Sequence, residues 1–254
     1  MSRVPVLIIS GMHRSATSLA AATLQAAGLD IGARLMGPFP GNPHGHFEDL
    51  DFVEIHQEAL RLSDLPEDGL LAEGGPLALP PSTMDAARRC IAARQASNHP
   101  WGFKDPRTTL FLESWHSLLP HAFWLFLFRN PLQVVDSLRR RGDVIAQDSP
   151  TQALRIWMHY NSLILDFAHQ HAARTLLFEL GTAEDALATL VGTVFERLGL
   201  HPTQPFSTYD PGLLSEREVC VSDARPYIRA EATELYRELQ FSALGHAGAP
   251  TSSS

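Results

Sequence analysis

The run Gly11-Met12-His13-Arg14-Ser15-Ala16-Thr17-Ser18 gathers a guanidinium, an imidazole and three hydroxyls within eight residues. It follows the unbroken apolar stretch Val6-Leu7-Ile8-Ile9 and leads into Leu19, Ala20, Thr23, Leu24 and Ala27, which recur at helical spacing. Strand, short polar loop and helix in that order make an anion site. The unpaired N–H groups of the helix's first turn and the positive end of its dipole face the loop. A phosphate or phosphate-like group is the chemistry this pattern suits. Without a ligand the same residues make only a tight turn, with Arg14 solvated and Ser15 or Thr17 capping the helix.

A second cationic position is Arg129, directly after the apolar run Ala122 to Phe128, where open α/β sheets bind their ligands. Asn130-Pro131 then opens a helix, and Ser137 lies eight residues beyond Arg129. Arg129 and Ser137 can share one anion only if the serine hydroxyl faces the arginine's side; otherwise Arg129 pairs with Asp136 or caps a neighbouring helix, and Ser137 is an ordinary helix residue. Lys104 is the only lysine in the chain and ends the short apolar segment Trp101-Gly102-Phe103. By position alone it forms a salt bridge with Asp105 or another nearby carboxylate. Glu48 closes a loop and precedes a helix, where a carboxylate cap is favoured by the dipole. Asp105 is placed to orient Lys104.

These residues need a frame. Apolar runs at Val6–Ile9, Trp101–Phe103, Ala122–Phe128 and Thr175–Phe178 alternate with helical patterns, which predicts a parallel sheet in one α/β domain. Ala122–Phe128 is apolar on both faces, as a central strand covered by helices must be. Helices are expected from about Phe52 with Asp49 or Asp51 as cap, from Thr83 to about Ser97 capped by Ser82, and through Leu118. Further helices are expected over Leu132–Arg141, Thr151–Gln170, Glu184–Leu198 and Ala230–Phe241. Leu29–His46, Leu65–Pro81 and Gly199–Pro226 are irregular. One domain over residues 1–242 and a disordered tail over 243–254 follow.

At 254 residues, 44% hydrophobic and with a net charge of −8, the chain fits a globular protein with no general nucleic-acid surface, so any polyanion must be held by local arginines. Cys90 and Cys220 form neither a disulfide scaffold nor a zinc motif. His169 and His171 do not share a helix face, so no metal site is expected. With no apolar run of membrane length and no leader segment, the default location is cytoplasmic.

Taken together, the strand followed by G-x-x-R-S-x-T-S, and the apolar strand ending R-N-P with a serine at the eighth position, resemble the sulfotransferases that use 3′-phosphoadenosine 5′-phosphosulfate (PAPS). The segment WGFKDPRTTLFLESWHSLLPHAFWLFLFRNPLQVVDSLRRR is similar to the K-D-P, helix, strand and R-N-P order of the tyrosylprotein and related Golgi-type enzymes and their bacterial relatives. LLFEL resembles the family's Y-E-x-L strand end. The resemblance spans about Val4 to Leu200. It implies a three-layer α/β fold, a parallel sheet flanked by helices in the P-loop NTPase-like manner.

The resemblance also assigns roles. Gly11, His13, Arg14, Ser15, Ala16, Thr17 and Ser18 correspond to the 5′-phosphosulfate loop, and Arg129 and Ser137 to the 3′-phosphate site. Arg14, Lys104 and Glu48 correspond to the catalytic groups, without a metal: Lys104 resembles the lysine that contacts the sulfuryl group and Glu48 the general base, for which His44 and His46 are the next candidates. PAPS is the implied donor, its product is adenosine 3′,5′-bisphosphate (PAP), and a small-molecule, lipid, glycan or peptide hydroxyl is the acceptor. Phe39, Phe47 and Trp101 give the acceptor pocket apolar lining. The sequence departs from the family at Ala16, where glycine is usual, and in lacking the C-terminal arginine-lysine-glycine segment, for which Arg217, Arg225 and Arg229 are the substitutes to consider. Two rivals are a P-loop-type small-molecule kinase, against which the missing loop lysine speaks, and a non-catalytic nucleotide-binding module.

Overall fold

The apolar runs become four strands, β1 Val6–Ser10, β2 Trp101–Lys104, β3 Phe123–Phe128 and β4 Thr175–Glu179. They form one parallel sheet in the order β2-β1-β3-β4, with Ile9 opposite Lys104 and Ser10 opposite Phe126. The computed structural model describes residues 4–38, 45–180, 185–203 and 224–247. Every residue of β1, β2 and β3 is buried, because helices cover both faces. Ala122–Phe128, read as central, supplies β3 as one of two inner strands, the other being β1.

One face of the sheet presents Leu7, Ile9, Leu125 and Leu127 to α1 (Thr17–Ala26) and α8 (Ala186–Leu198). The other presents Ile8, Phe103, Phe126 and Phe128 to a larger layer. That layer includes α2 (Leu50–Leu62), α3 (Pro81–Gln95), α4 (Leu112–Leu118), α5 (Pro131–Arg141) and α6 (Val144–Asp148). It is completed by α7 (Pro150–Gln170) and α9 (Pro226–Ala247). Alternation along each strand thus divides the apolar side chains between two cores, one per face.

Capping fixes where the site-bearing helices begin. Asp49 caps α2 by accepting from the Asp51 N–H, and Asn130 caps α5 by accepting from Leu132 N–H ahead of Pro131. Three expectations are corrected. The helix after Phe103 divides into a 3₁₀ turn, Pro106–Phe111, and α4, because Asp105 accepts from the Arg107 N–H and turns the chain tightly. α3 starts at Pro81 with no side-chain cap, so Ser82 lies inside it; the fixed φ of a first-turn proline does the work instead. α9 is longer at both ends than Ala230–Phe241 and takes in the first residues assigned to a tail, since Leu235, Tyr236, Leu239 and Ala243 pack on the core. Among the described residues no helix is long and apolar enough to cross a membrane.

Candidate functional site

The C-terminal ends of β1, β2 and β3 lie side by side, so the loop after Ser10, the Lys104-Asp105 pair and Arg129 meet at one edge of the sheet. Ser10 Oγ bonds to the Asp105 carbonyl at 3.0 Å and to Thr109 Oγ1 at 2.8 Å, tying the start of the loop to the end of β2. Gly11 follows at φ +145°, and a Cβ there would lie 2.2 Å from the Leu127 carbonyl oxygen. Only glycine lets the loop leave the sheet so close to β3.

Two further loop residues, Arg14 (φ 68°) and Ala16 (φ 67°), hold left-handed backbone without being glycine. A Cβ at position 16, where the family usually has glycine, thus sits on left-handed backbone, and each such residue stores roughly 1–2 kcal/mol of strain. Ala16 is the N-cap of α1 and offers no side-chain hydrogen bond, so the first N–H groups of α1 have no side-chain cap from it. Ser15, between the two strained residues, is fully buried, and its Oγ has no hydrogen-bond partner among the described residues. A buried orphan hydroxyl beside an uncapped helix start fits a ligand that brings acceptor oxygens. His13 Nε2 lies 3.1 Å from the Asp68 carbonyl. Burial, aided by the Arg107 charge, pushes its imidazole down to about 3, so the neutral ring donates to that carbonyl.

The two anion motifs meet directly. Arg14 Nε donates to Ser137 Oγ at 2.9 Å, which puts the α5 serine against the loop arginine. Burial and the nearby Arg141 push the Arg14 guanidinium down to about 10, with Arg140 and Arg129 adding repulsion against the pull of Asp143. This crowding of cations is what a bound anion would relieve. Arg129 is buried, its Nε donates to Gln133 Oε1 at 2.9 Å, and its carbonyl accepts from Trp157 Nε1 at 3.1 Å. Asp136, the alternative partner considered for Arg129, pairs with Arg140 at 2.8 Å.

Next to the loop sits a buried ionic chain. Lys104 Nζ donates to Glu48 Oε1 at 2.7 Å and reaches Ser18 Oγ at 3.4 Å. Arg107 Nη2 donates to the other Glu48 oxygen at 3.1 Å. Burial lowers the Lys104 ammonium from its ordinary value while Glu48 pulls the other way. For Arg107, burial is outweighed by Asp105 and Glu48, and the guanidinium is raised. Burial alone would raise Asp105; Arg107 and a hydrogen bond from His56 outweigh it and hold the carboxyl below the usual carboxylate range. The alternative of Glu48 as a helix cap is set aside, since Asp49 fills that place and Glu48 takes a cation on each oxygen.

No protein-family model and no curated protein matches the chain. Solved structures do. The sulfotransferase domain of the olefin synthase from Synechococcus PCC 7002 is 20% identical with a TM-score of 0.55, covering 93% of this chain and 96% of that one. The sulfotransferase STF1 of Mycobacterium tuberculosis H37Rv is 13% identical with a TM-score of 0.50, covering 92% of this chain and 77% of that one. The chain has a sulfotransferase fold.

Within that fold, Arg14, Ser15, Ser18, Lys104, Glu48, Arg129 and Ser137 all gather at the strand ends, while Gly11, Ala16 and Thr17 shape the backbone there. His13 is held by the Asp68 carbonyl. His46 Nδ1 lies 3.9 Å from Glu48, and burial lowers its imidazole from the ordinary value. His44, Phe39 and Arg217 lie outside the described residues. Two assignments are corrected. Asp105 orients Arg107 rather than Lys104, and Trp101 is fully buried against Phe52 and Phe103 in the core, so it lines no acceptor pocket. Glu179, in the LLFEL segment, accepts from Tyr236 and Gln240 and holds α9 to the sheet. At the start of α9, Arg225 bonds to Tyr227 Oη at 3.0 Å, and Arg229 Nε is buried without a hydrogen-bond partner among the described residues.

Arg107 and the pair His56 and Trp115 were not among the expected site residues. A signal for them existed. His56 falls on the apolar stripe of α2 with Phe52, Ile55, Ala59 and Leu60, and a histidine buried there requires polar partners.

Proposed function

We propose that this protein transfers a sulfuryl group from PAPS to an acceptor hydroxyl. The observation that carries the reading is the Arg14–Ser137 hydrogen bond, which joins the G-x-x-R-S-x-T-S loop to the R-N-P helix in one cationic site. Two anion motifs that meet at one place suit a ligand with two anionic groups. The orphan Ser15 hydroxyl and the burial of the Arg14 guanidinium close to Arg141, Arg140 and Arg129 support the same conclusion.

The bound donor supplies the sulfuryl group and a bisphosphate leaving group. Arg14, Ser15, Thr17, Ser18 and the N–H groups opening α1 hold its 5′ end; Arg129 and Ser137 hold the 3′-phosphate. In an in-line displacement the acceptor oxygen bonds to sulfur as the bond from sulfur to the leaving phosphate oxygen breaks. Cations and N–H donors around that phosphate stabilise the charge it gains. Glu48 accepts the acceptor's proton, and Lys104, standing between Ser18 and Glu48, supplies positive charge at the transferring group. The acceptor is a small-molecule, lipid, glycan or peptide hydroxyl.

Calorimetric titration with PAP, ATP and AMP tests the donor. PAP is expected to bind most tightly, and Arg129→Ala to weaken it; tighter ATP binding, or unchanged PAP binding in Arg129→Ala, would overturn the reading. Glu48→Gln and Lys104→Ala are each expected to lower turnover by at least about a hundredfold while PAP still binds. PAP binding with no turnover on any acceptor would favour a non-catalytic nucleotide-binding module instead.

A further inference from the structure

Behind Arg107 the ionic chain continues into the protein. Asp105 Oδ2 accepts from His56 Nδ1 at 2.9 Å, and His56 Nε2 faces Trp115 Nε1 at 2.8 Å. An indole N–H can only donate, so His56 Nε2 must be the acceptor and its ring proton sits on Nδ1, aimed at Asp105. The ring has little freedom to turn. It stacks on Phe111 at 5.7 Å and meets Trp115 edge-on at 5.4 Å, and both His56 and Asp105 are fully buried.

Asp105 passes this constraint on. One carboxylate accepts the Arg107 backbone N–H at 2.9 Å and the Arg107 side-chain Nε at 3.2 Å, so backbone and guanidinium are held together. Gly69 closes the other side. A Cβ there would lie 3.0 Å from both Arg107 Cγ and Tyr160 Oη. Held this way, Arg107 reaches Glu48 Oε2, while Lys104 holds Oε1.

From this chain we infer that His56, with its tautomer set by Trp115, is a positioning residue for the Glu48–Lys104 pair and acts on it through Asp105 and Arg107. The inference rests on the reading of Glu48 and Lys104 as the reacting pair under Proposed function. A carboxylate held by two cations at fixed positions presents its remaining lone pairs in one direction, and a general base needs that orientation. The buried bonds from Trp115 to Glu48 run through low-dielectric surroundings, so a change at His56 reaches Glu48 without any contact between them.

Lys104, as the only lysine, gives a single reporter that needs no turnover. Protein labelled with ¹³C,¹⁵N-lysine shows one side-chain signal set, which reads the Lys104 ammonium and its pairing with Glu48. Three substitutions divide the chain. His56→Leu keeps bulk and removes the donor. His56→Asn places an amide N–H near the Nδ1 position. Trp115→Phe removes the indole N–H, together with part of the ring, and keeps an aromatic side chain at that position.

His56→Leu is expected to move the Lys104 signal and to lower kcat by about tenfold or more, with the PAP dissociation constant unchanged. His56→Asn is expected to recover most of both. The ¹⁵N spectrum of His56 is expected to report the Nδ1–H tautomer in the unsubstituted protein and a mixture in Trp115→Phe, which keeps the proposal testable if the leucine variant does not fold. Identical Lys104 signals in all the proteins, equal kcat losses in the leucine and asparagine variants, or an Nε2–H tautomer in the unsubstituted protein would overturn the inference. If the unsubstituted protein transfers no sulfuryl group, the functional reading fails, and the lysine and histidine signals still decide whether His56 positions the pair.

Discussion

Replacing Glu48 by glutamine removes one charge from the middle of a buried cluster, and its cost can be bounded. The carboxylate receives Lys104 Nζ at 2.7 Å and Arg107 Nη2 at 3.1 Å, with side-chain exposures of 7% for Glu48, 1% for Lys104 and 7% for Arg107. After the change Arg107 keeps Asp105, but Lys104 loses its paired carboxylate and is left with a neutral amide oxygen and the 3.4 Å approach to Ser18. Breaking a buried pair from one side costs about 3–5 kcal/mol. The upper limit has its own logic: a stranded lysine escapes by releasing its proton, and moving from its ordinary value of 10.5 to pH 7 corresponds to about 5 kcal/mol.

Urea unfolding of Glu48→Gln from pH 7 to pH 10 measures this. The folded-state value of Lys104 is depressed, so between it and 10.5 the unfolded chain binds more protons than the folded one. Stability therefore rises with pH in that window; because Glu48 pulls Lys104 upward in the unsubstituted protein, its removal depresses the lysine further, the rise is larger in the variant, and the loss shrinks toward pH 10. At pH 7 the loss is expected at about 3–5 kcal/mol, roughly 10 °C in Tm. The double variant Glu48→Gln/Lys104→Met, which strands no lysine, is expected to lose less and to show no such rise. A loss below about 1 kcal/mol at pH 7, or one that does not change with pH, would refute the ion-pair reasoning.

Ala16→Gly relieves a left-handed residue and loosens the unfolded chain, leaving a net gain of roughly 0.5 kcal/mol and a Tm rise of about 1–2 °C by calorimetry; a loss above about 1 kcal/mol would contradict the strain. Ser15→Ala removes a buried hydroxyl that has no partner among the described residues, so thermal stability is expected to hold within about 0.5 kcal/mol while PAP binding weakens about fivefold. Equal PAP affinity in calorimetry would remove Ser15 from the site. His13 is lowered to about 3, below the unfolded histidine, so it withdraws stability as pH falls from 6.5 toward 3. His13→Gln is expected to flatten that acid limb in pH-dependent melts, and an unchanged limb would rule the His13 contribution out.

Much of the frame was legible because its signals are local. Four apolar runs, the asparagine and proline at α5 and the aspartate at α2 each specify a strand or a helix start from adjacent residues. Arg14, Lys104 and Arg129 were legible for a related reason, since each directly follows or ends a strand run and a parallel sheet brings strand ends together. The double engagement of Glu48 was not, because its partners lie 56 and 59 residues away. The Trp115–His56–Asp105 link joins α2, α4 and the turn after β2, elements whose packing no short window specifies. The extension of α9 was hidden for the same reason, since the packing of Ala243, the first residue read as tail, on the core is specified by no short window.

The site is also a record of folding order. β1 and its loop precede β2 and β3 in the chain, yet β1 pairs with both, and their residues lie roughly a hundred positions further along. Such distant parallel pairings are slow to form, because a long stretch of chain must be closed before any contact offsets the lost entropy. A chain emerging during synthesis carries Arg14 and Ser15 before it carries β2 and α5, and cannot join them to Lys104 until β2 has docked, nor to Ser137 until α5 has. Anion binding at this edge is therefore a property of the assembled sheet, and a ligand captured there adds its stabilisation only after the longest loops have closed.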